Sequence, residues 1–288
     1  MDRHDQIATR IQEASTSHIT PDNREVQVLS FDTERTIAHE FGLSHQQIQH
    51  HALSQAIVPL RYIRNQQSIS TQQQLELLNS RVTVVGLGGL GGYVIEILAR
   101  IGVGSLVLVD GDVFDESNLN RQLLSDVSAL GRMKAEVAGA RIQKINPAVE
   151  LRVVGEYLDG DNCTELIKGS NCVVDCLDTI SGRLVLAEGC GRDNVALVSA
   201  AIGGSCGHVM SILPGAKGLS RLYGPEAAQQ DQGVEKRLGT LGYAVMAIGA
   251  IECSQVISIL LGQPDPLSGQ LLMADLQYLS FEMINLTP

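Results

Sequence analysis

The chain has 288 residues, 44% hydrophobic but only 3% aromatic, and carries a formal charge of −11. Its length holds one large α/β domain with an appendage, or two modest domains, around an aliphatic core. The acidic balance argues against a general nucleic-acid or anionic-membrane binder. No apolar run reaches the roughly 18 residues of a membrane-crossing helix, the polar N-terminus shows no signal peptide, and the six scattered cysteines read as reduced thiols of a cytoplasmic protein.

Residues 1–75 are rich in Gln, His and Ser and poor in strand-like runs. They predict a small helical N-terminal extension, with the main domain over 76–288. Within the extension, residues 37–48 carry an apolar pair, a turn glycine and the capping residue Ser44, the spacing of a helix-turn-helix. The second helix, Ser44 to Gln55, has no Arg or Lys for phosphates, so a hairpin packed on the main domain is the better expectation than DNA binding. His39, His45, His50 and His51 have no Cys or acid pattern beside them and read as a solvated helix face.

From Arg81 the pattern changes to apolar strand, glycine turn, amphipathic helix and a second apolar strand ending on Asp110, the fingerprint of a nucleotide-binding βαβ unit. Gly86, Gly88, Gly89 and Gly91 let the backbone turn tightly and approach phosphate. The helix that follows offers unpaired N–H groups and a positive dipole end to an anion. Asp110 is placed to accept hydrogen bonds from ribose hydroxyls. Asn118 and Arg121 follow in Ser117-Asn118-Leu119-Asn120-Arg121-Gln122, and Lys134 comes thirteen residues after Arg121. A triphosphate and its departing pyrophosphate need cationic partners that a dinucleotide does not, so this cluster favours ATP over NAD. Asp112 and Asp115 read as loop decoration.

Strands and helices then alternate: Leu151 to Val154, Asn162 to Lys168, Cys172 to Cys176, Ile180 to Arg192 and Val195 to Ser199. They predict a doubly wound, mostly parallel Rossmann-like sheet. His208 to Leu213, Leu271 to Ala274 and Leu279 to Leu286 predict antiparallel strands at the C-terminal end, with a long apolar helix over Leu238 to Leu261 between them. Pro214 to Lys236 reads as a loop. Asp178, at a strand end, could cap the helix after it or serve the ligand edge of the sheet; the second reading is favoured. Asp175 reads as structural.

Arg61-Tyr62-Ile63-Arg64-Asn65, the glycine turn, Asp110, the Ser-Asn-Leu-Asn-Arg-Gln run, Lys134, Ile145-Asn146-Pro147 and Cys176-Leu177-Asp178-Thr179 occur in one order over Arg61 to Leu286. Together they resemble the ThiF/MoeB/HesA family, bacterial relatives of ubiquitin-activating enzymes. The resemblance implies adenylation of the C-terminal glycine carboxylate of a small ubiquitin-like sulfur carrier ending in Gly-Gly, with Mg-ATP consumed and pyrophosphate released. It puts Gly88 against the nucleotide, Asp110 on the ribose, and Asn118, Arg121 and Lys134 on the phosphates. It also implies Asp178 on the magnesium with Thr179 beside it, and a homodimer in which Arg64 reaches the partner's ATP site. No Cys-x-x-Cys pair is present, so the zinc site of many members is not expected. Cys206 and Cys253 read as packing residues, and no cysteine lies between Ser211 and Ala250 to form a thioester. The alternatives are a branch that adenylates a carboxyl on modified tRNA, an NAD(P)-dependent dehydrogenase, and a non-catalytic regulator.

Overall fold

The computed structural model describes residues 2–216, 218–224, 238–264 and 267–286. Its first part is not wholly helical. Helix α1 (Arg3–Ala14) is followed by strands β1 (Thr16–Ile19) and β2 (Glu25–Leu29), helices α2 (Phe31–Phe41) and α3 (His45–Ser54), and the short β3 (Val58–Pro59). The strands form a sheet of order β1-β2-β3, antiparallel then parallel. Composition hid these strands because they are short and mostly exposed. They are specified by their turn, where the Thr20 hydroxyl donates to Asp22 at 2.6 Å and Asn23 takes φ 60°. The unit has its own core, including Ile7, Ile11, Leu29, Ile37, Ile48 and Ile57.

The α2–α3 hairpin turns on Gly42 at φ 61°, and Ser44 with Gln47 forms a capping box on α3. Helix α3 is pinned to the larger unit by Gln46, whose amide donates to Gly104 O at 2.8 Å. A 3-10 turn, Leu60–Asn65, leads across. There Arg61 donates to Asn146 Oδ1 at 2.8 Å, and Asn146 donates to the buried Tyr62 hydroxyl at 2.8 Å. The Arg-Tyr-x-Arg and Ile-Asn-Pro motifs are thus two halves of one contact.

Helix α4 (Thr71–Leu78) precedes β4 (Arg81–Val85), α5 (Gly89–Ile101), β5 (Ser105–Val109), α6 (Lys134–Ile145), β6 (Glu150–Val154), α7 (Cys163–Ile167), β7 (Cys172–Asp175), α8 (Ile180–Asp193) and β8 (Ala196–Gly203). Then come β9 (Cys206–Ile212), α9 (Gly218–Tyr223), a long helix here called α10 (Gly242–Leu260), β10 (Gln270–Asp275) and β11 (Ser280–Asn285). The eight-stranded sheet runs β11-β10-β9-β8-β7-β4-β5-β6. Its β8-β7-β4-β5-β6 portion is parallel, and β9, β10 and β11 join antiparallel. Both faces are covered. Val82 and Val84 of β4 face a core shared with α5, α6 and α10, whereas Val85 faces the core built with α7, α8 and α9. That double burial is why the parallel strands read as continuous apolar runs.

Two expectations change. The described part of the expected loop from Pro214 to Lys236 contains α9; residues 217 and 225–236 of it lie outside the described residues. Helix α10, at 19 residues, is long and apolar enough to cross a membrane, contrary to the count of apolar runs. It packs against α5, β8 and β9, burying Ala244, Val245, Ile248, Glu252 and Val256.

In β9, the buried His208 Nε2 has no hydrogen-bond partner among the described residues. Burial pushes its pKa down from 6.5 to about 4, with the nearby Arg183 charge acting in the same direction. The folded protein therefore holds this ring neutral while the unfolded chain protonates near its ordinary value. The ring's contribution to stability is complete above pH 6.5 and is lost as pH falls towards 4. Guanidinium unfolding should show the wild-type midpoint falling across this window and a shallower fall in His208→Gln; identical slopes would contradict the assignment.

Candidate functional site

In the sheet order β7-β4-β5, the chain runs outward from β4 to β6 and then returns to the other side of β4. The reversal makes a crevice at the carboxyl ends of β4 and β7, where open α/β sheets bind ligands. A cavity of about 550 Å³ opens there. Gly86, Gly88, Gly89, Asp110, Arg121, Lys134 and Asp178 all line it. Residues separated by nearly a hundred positions are brought together because the glycine turn, Asp110 and Asp178 each lie just beyond a strand end, and the connection from β5 to α6 brings Arg121 and Lys134 to the same place.

The glycine turn is sterically necessary. Gly86 has φ 89°, and a β-carbon there would lie 2.6 Å from Cys176 O. A β-carbon on Gly91 would lie 1.9 Å from Gly86 O. Gly91 therefore packs the turn from behind, rather than facing the cavity. Gly88 precedes α5 with no side-chain cap, which leaves the first N–H groups of a thirteen-residue helix facing the crevice.

Asp110 stands beside the glycine turn. Its Oδ2 accepts from Leu87 N–H at 2.7 Å and its Oδ1 from Asp112 N–H at 2.8 Å. Burial raises its pKa, while those amides act in the other direction. Each oxygen keeps a lone pair for a ligand hydroxyl. Lys134 is buried, and its Nζ donates to Asp112 Oδ2 at 2.9 Å. Tyr157 donates its hydroxyl to the other oxygen of Asp112. Asp112, read from the sequence as decoration, thus aims the lysine. Arg121 donates to Ser117 O at 2.9 Å and Asn120 Oδ1 at 2.8 Å, leaving the rest of its guanidinium fork available.

Two expected residues lie elsewhere. Asn118 does not line the cavity; its Oδ1 accepts from Asp115 N–H at 3.1 Å and closes a turn, while Asn120 and Gln122 reach the wall. Thr179 is the N-cap of α8, its Oγ1 accepting from Gly182 N–H at 3.3 Å. The capping duty weighed for Asp178 therefore belongs to its neighbour. Asp178 is exposed and accepts no hydrogen bond from the described residues. Arg64, on the exposed side of the Leu60–Asn65 turn, makes no hydrogen bond or ion pair with the described residues and does not line the cavity of its own chain.

Arg183 was missed from sequence. It is buried at the cavity wall, donates to Asp175 Oδ2 at 2.9 Å and to Ala200 O at 2.7 Å, and also donates to Leu177 O. Its signal was a lone cation inside the otherwise apolar start of α8. Cys176 lines the cavity, but burial and the neighbouring Glu252 hold its thiol well above the ordinary range, which disfavours a thiolate nucleophile. No three His, Cys, Asp or Glu side chains form a metal-ligand group among the described residues.

The arrangement offers an anion-binding helix end, two cations, a ribose-type acceptor and an uncommitted carboxylate around one crevice. Residues 61–288 match the model of the ThiF family. The SAMP-activating enzyme E1 of Haloferax volcanii is 35% identical over 227 residues, covering 78% of this chain and 84% of that protein. The molybdopterin-synthase adenylyltransferase of Salmonella typhimurium is 35% identical over 218 residues, covering 74% and 86%. A crystal structure of Escherichia coli MccB with ATP aligns with a TM-score of 0.68 at 22% identity, covering 78% of this chain and 71% of that one, a likeness of fold.

Because Thr179 and not Asp178 caps α8, the two positions should separate by melting. Thr179→Ala should cost about 1 kcal/mol, whereas Asp178→Ala should stay within about 0.5 kcal/mol of wild type. A reversed order would return the cap to Asp178.

Proposed function

The chain belongs to the ThiF family, and from that premise we propose that it activates a small ubiquitin-like sulfur carrier ending in Gly-Gly. It is an adenylyltransferase, and ATP is its nucleotide. The proposal concerns the acceptor, the magnesium, the residue roles, the homodimer and a cytoplasmic location. The observation that carries it is the convergence of the glycine turn, Arg121, Lys134 and an unengaged Asp178 on one crevice.

In this reading the carrier's terminal carboxylate oxygen attacks the α-phosphorus. A new P–O bond forms, the bond from that phosphorus to the bridging oxygen breaks, and pyrophosphate leaves with the electron pair. The nucleophile is already anionic at neutral pH, so no general base is needed. The difficulty is electrostatic: an anion must approach phosphates. Asp110 accepts from the ribose, and the N–H groups at the start of α5 approach the phosphates. Arg121 and Lys134 neutralise the charge that gathers on the departing pyrophosphate. Asp178 fits a magnesium ligand because its carboxylate is exposed at the crevice and accepts no hydrogen bond from the described residues. Bound there, the ion supplies further charge neutralisation. Asp112 holds Lys134 in place until the phosphates arrive.

Arg64 fits a role across a dimer interface because it is exposed and makes no hydrogen bond or ion pair with the described residues of its own chain. An arginine supplied in trans completes the site only when two subunits are docked, which ties activity to assembly. Gly-Gly proteins from the source genome, supplied one by one in a pyrophosphate-exchange assay, test the acceptor; exchange with none of them would sink the carrier reading. Asp178→Ala and Arg64→Ala should each be inactive. When mixed and allowed to exchange subunits, they should regain up to about a quarter of wild-type activity per site, since half the subunits then sit in mixed dimers with one intact site. No recovery despite verified exchange would place Arg64 outside the partner's site.

A further inference from the structure

Gln122 presents an unsatisfied amide at the cavity wall. It is 7% exposed, yet its side chain makes no hydrogen bond to the described residues, and its Oε1 is sealed from solvent without a partner. The backbone around it is held firmly. Gln122 N–H donates to Asn118 O at 3.0 Å, and Gln122 O accepts from the Ser125 hydroxyl at 2.7 Å. The loop therefore fixes where the amide sits, beside the glycine turn: a β-carbon on Gly88 would lie 3.4 Å from Gln122 Nε2. Buried amides in folded proteins are paired, so an unpaired one on a residue that lines a ligand cavity marks a group that the ligand completes.

The unpaired atom is an acceptor, and its ligand must bring a hydrogen. At the glycine-turn end of the crevice the nucleotide presents phosphate oxygens, which are themselves acceptors, and its ribose hydroxyls are taken by Asp110, held on the same turn by Leu87 N–H at 2.7 Å. A peptide tail arriving carboxylate-first brings a backbone N–H two bonds from its carboxyl carbon. We propose that Gln122 accepts a hydrogen bond from the peptide N–H of the substrate's C-terminal residue, aligning the carboxylate on the α-phosphorus and selecting peptide-tailed acceptors over other carboxylic acids. The inference rests on the carrier reading above and adds a substrate-positioning residue to it.

Gln122→Met keeps the side chain's length and removes the acceptor. The probes are a Gly-Gly carrier active in the exchange assay and the same carrier made by semisynthesis with glycolate in place of the last glycine, so that an ester oxygen replaces the N–H without added bulk. Wild type should lose about tenfold in kcat/KM on the ester carrier. Gln122→Met should bind ATP as wild type does, melt no lower, raise KM for the normal carrier about tenfold, and show no further loss on the ester. Equal ester penalties in the two enzymes would overturn the assignment, as would an ester carrier that wild type turns over normally. Should the methionine variant fail to fold, Gln122→Ala serves the same cycle. If wild type shows no exchange with any unmodified Gly-Gly carrier, the carrier reading falls first and this inference with it.

Discussion

One close backbone approach sets the rest of the site. Gly91 lies so near the Gly86 carbonyl that a β-carbon would stand 1.9 Å from its oxygen, and Gly86 in turn lies against the Cys176 backbone. This triple contact packs the start of α5 onto β4 and draws the end of β7 beside them. It creates the uncapped helix end, and it also brings the Leu177–Asp178 turn within reach of that end. A side chain at Gly86 or Gly91 would separate the anion-binding half of the crevice from the carboxylate half.

Around that contact the charged groups are held by one another. Asp175 and Arg183 are both buried, a costly arrangement unless every hydrogen-bonding position is used. Here they are used well. Asp175 accepts from Ser199, Leu177 N–H and Arg183, and Arg183 spends its other donors on the Leu177 and Ala200 carbonyls. The result clamps Leu177 at both its N–H and its carbonyl, so the next residue, Asp178, is delivered by a rigid turn. Asp112 and Tyr157 do the same for Lys134. Its amine is one of the few cations in an acidic chain that is kept from solvent. Fixing charges before the substrate arrives avoids reorganisation at the moment of reaction, which is how positioned cations serve phosphoryl chemistry.

The parts of the fold legible in sequence were those whose signal is local. Apolar runs bounded by turn residues located the strands of the large sheet to within a few residues, and glycine spacing located the cavity. What was not legible depended on partners distant in the chain. Nothing near Asp112 says that Lys134 will return to it, and nothing near Asn146 says that Tyr62 and Arg61 will dock on it. Neighbouring polar residues were also hard to separate. Asn118 and Asn120, like Asp178 and Thr179, are chemically able to exchange roles. Backbone direction alone decides that Asn118 closes a turn and Thr179 caps a helix, while Asn120 and Asp178 face the crevice. The N-terminal strands escaped notice because a five-residue strand with alternating polar positions looks like a polar linker until its hairpin turn is read as one.

In the proposed reaction the crevice directs attack to the α-phosphorus of ATP and not the γ. The most direct measurement is the product balance after mixing enzyme, ATP, magnesium and a carrier that supports exchange. Phosphorus NMR follows the nucleotide, and intact mass spectrometry follows the carrier. The predicted result is pyrophosphate together with a carrier heavier by one adenylyl group, in equal amounts. Formation of ADP and inorganic phosphate with the carrier's mass unchanged would contradict it.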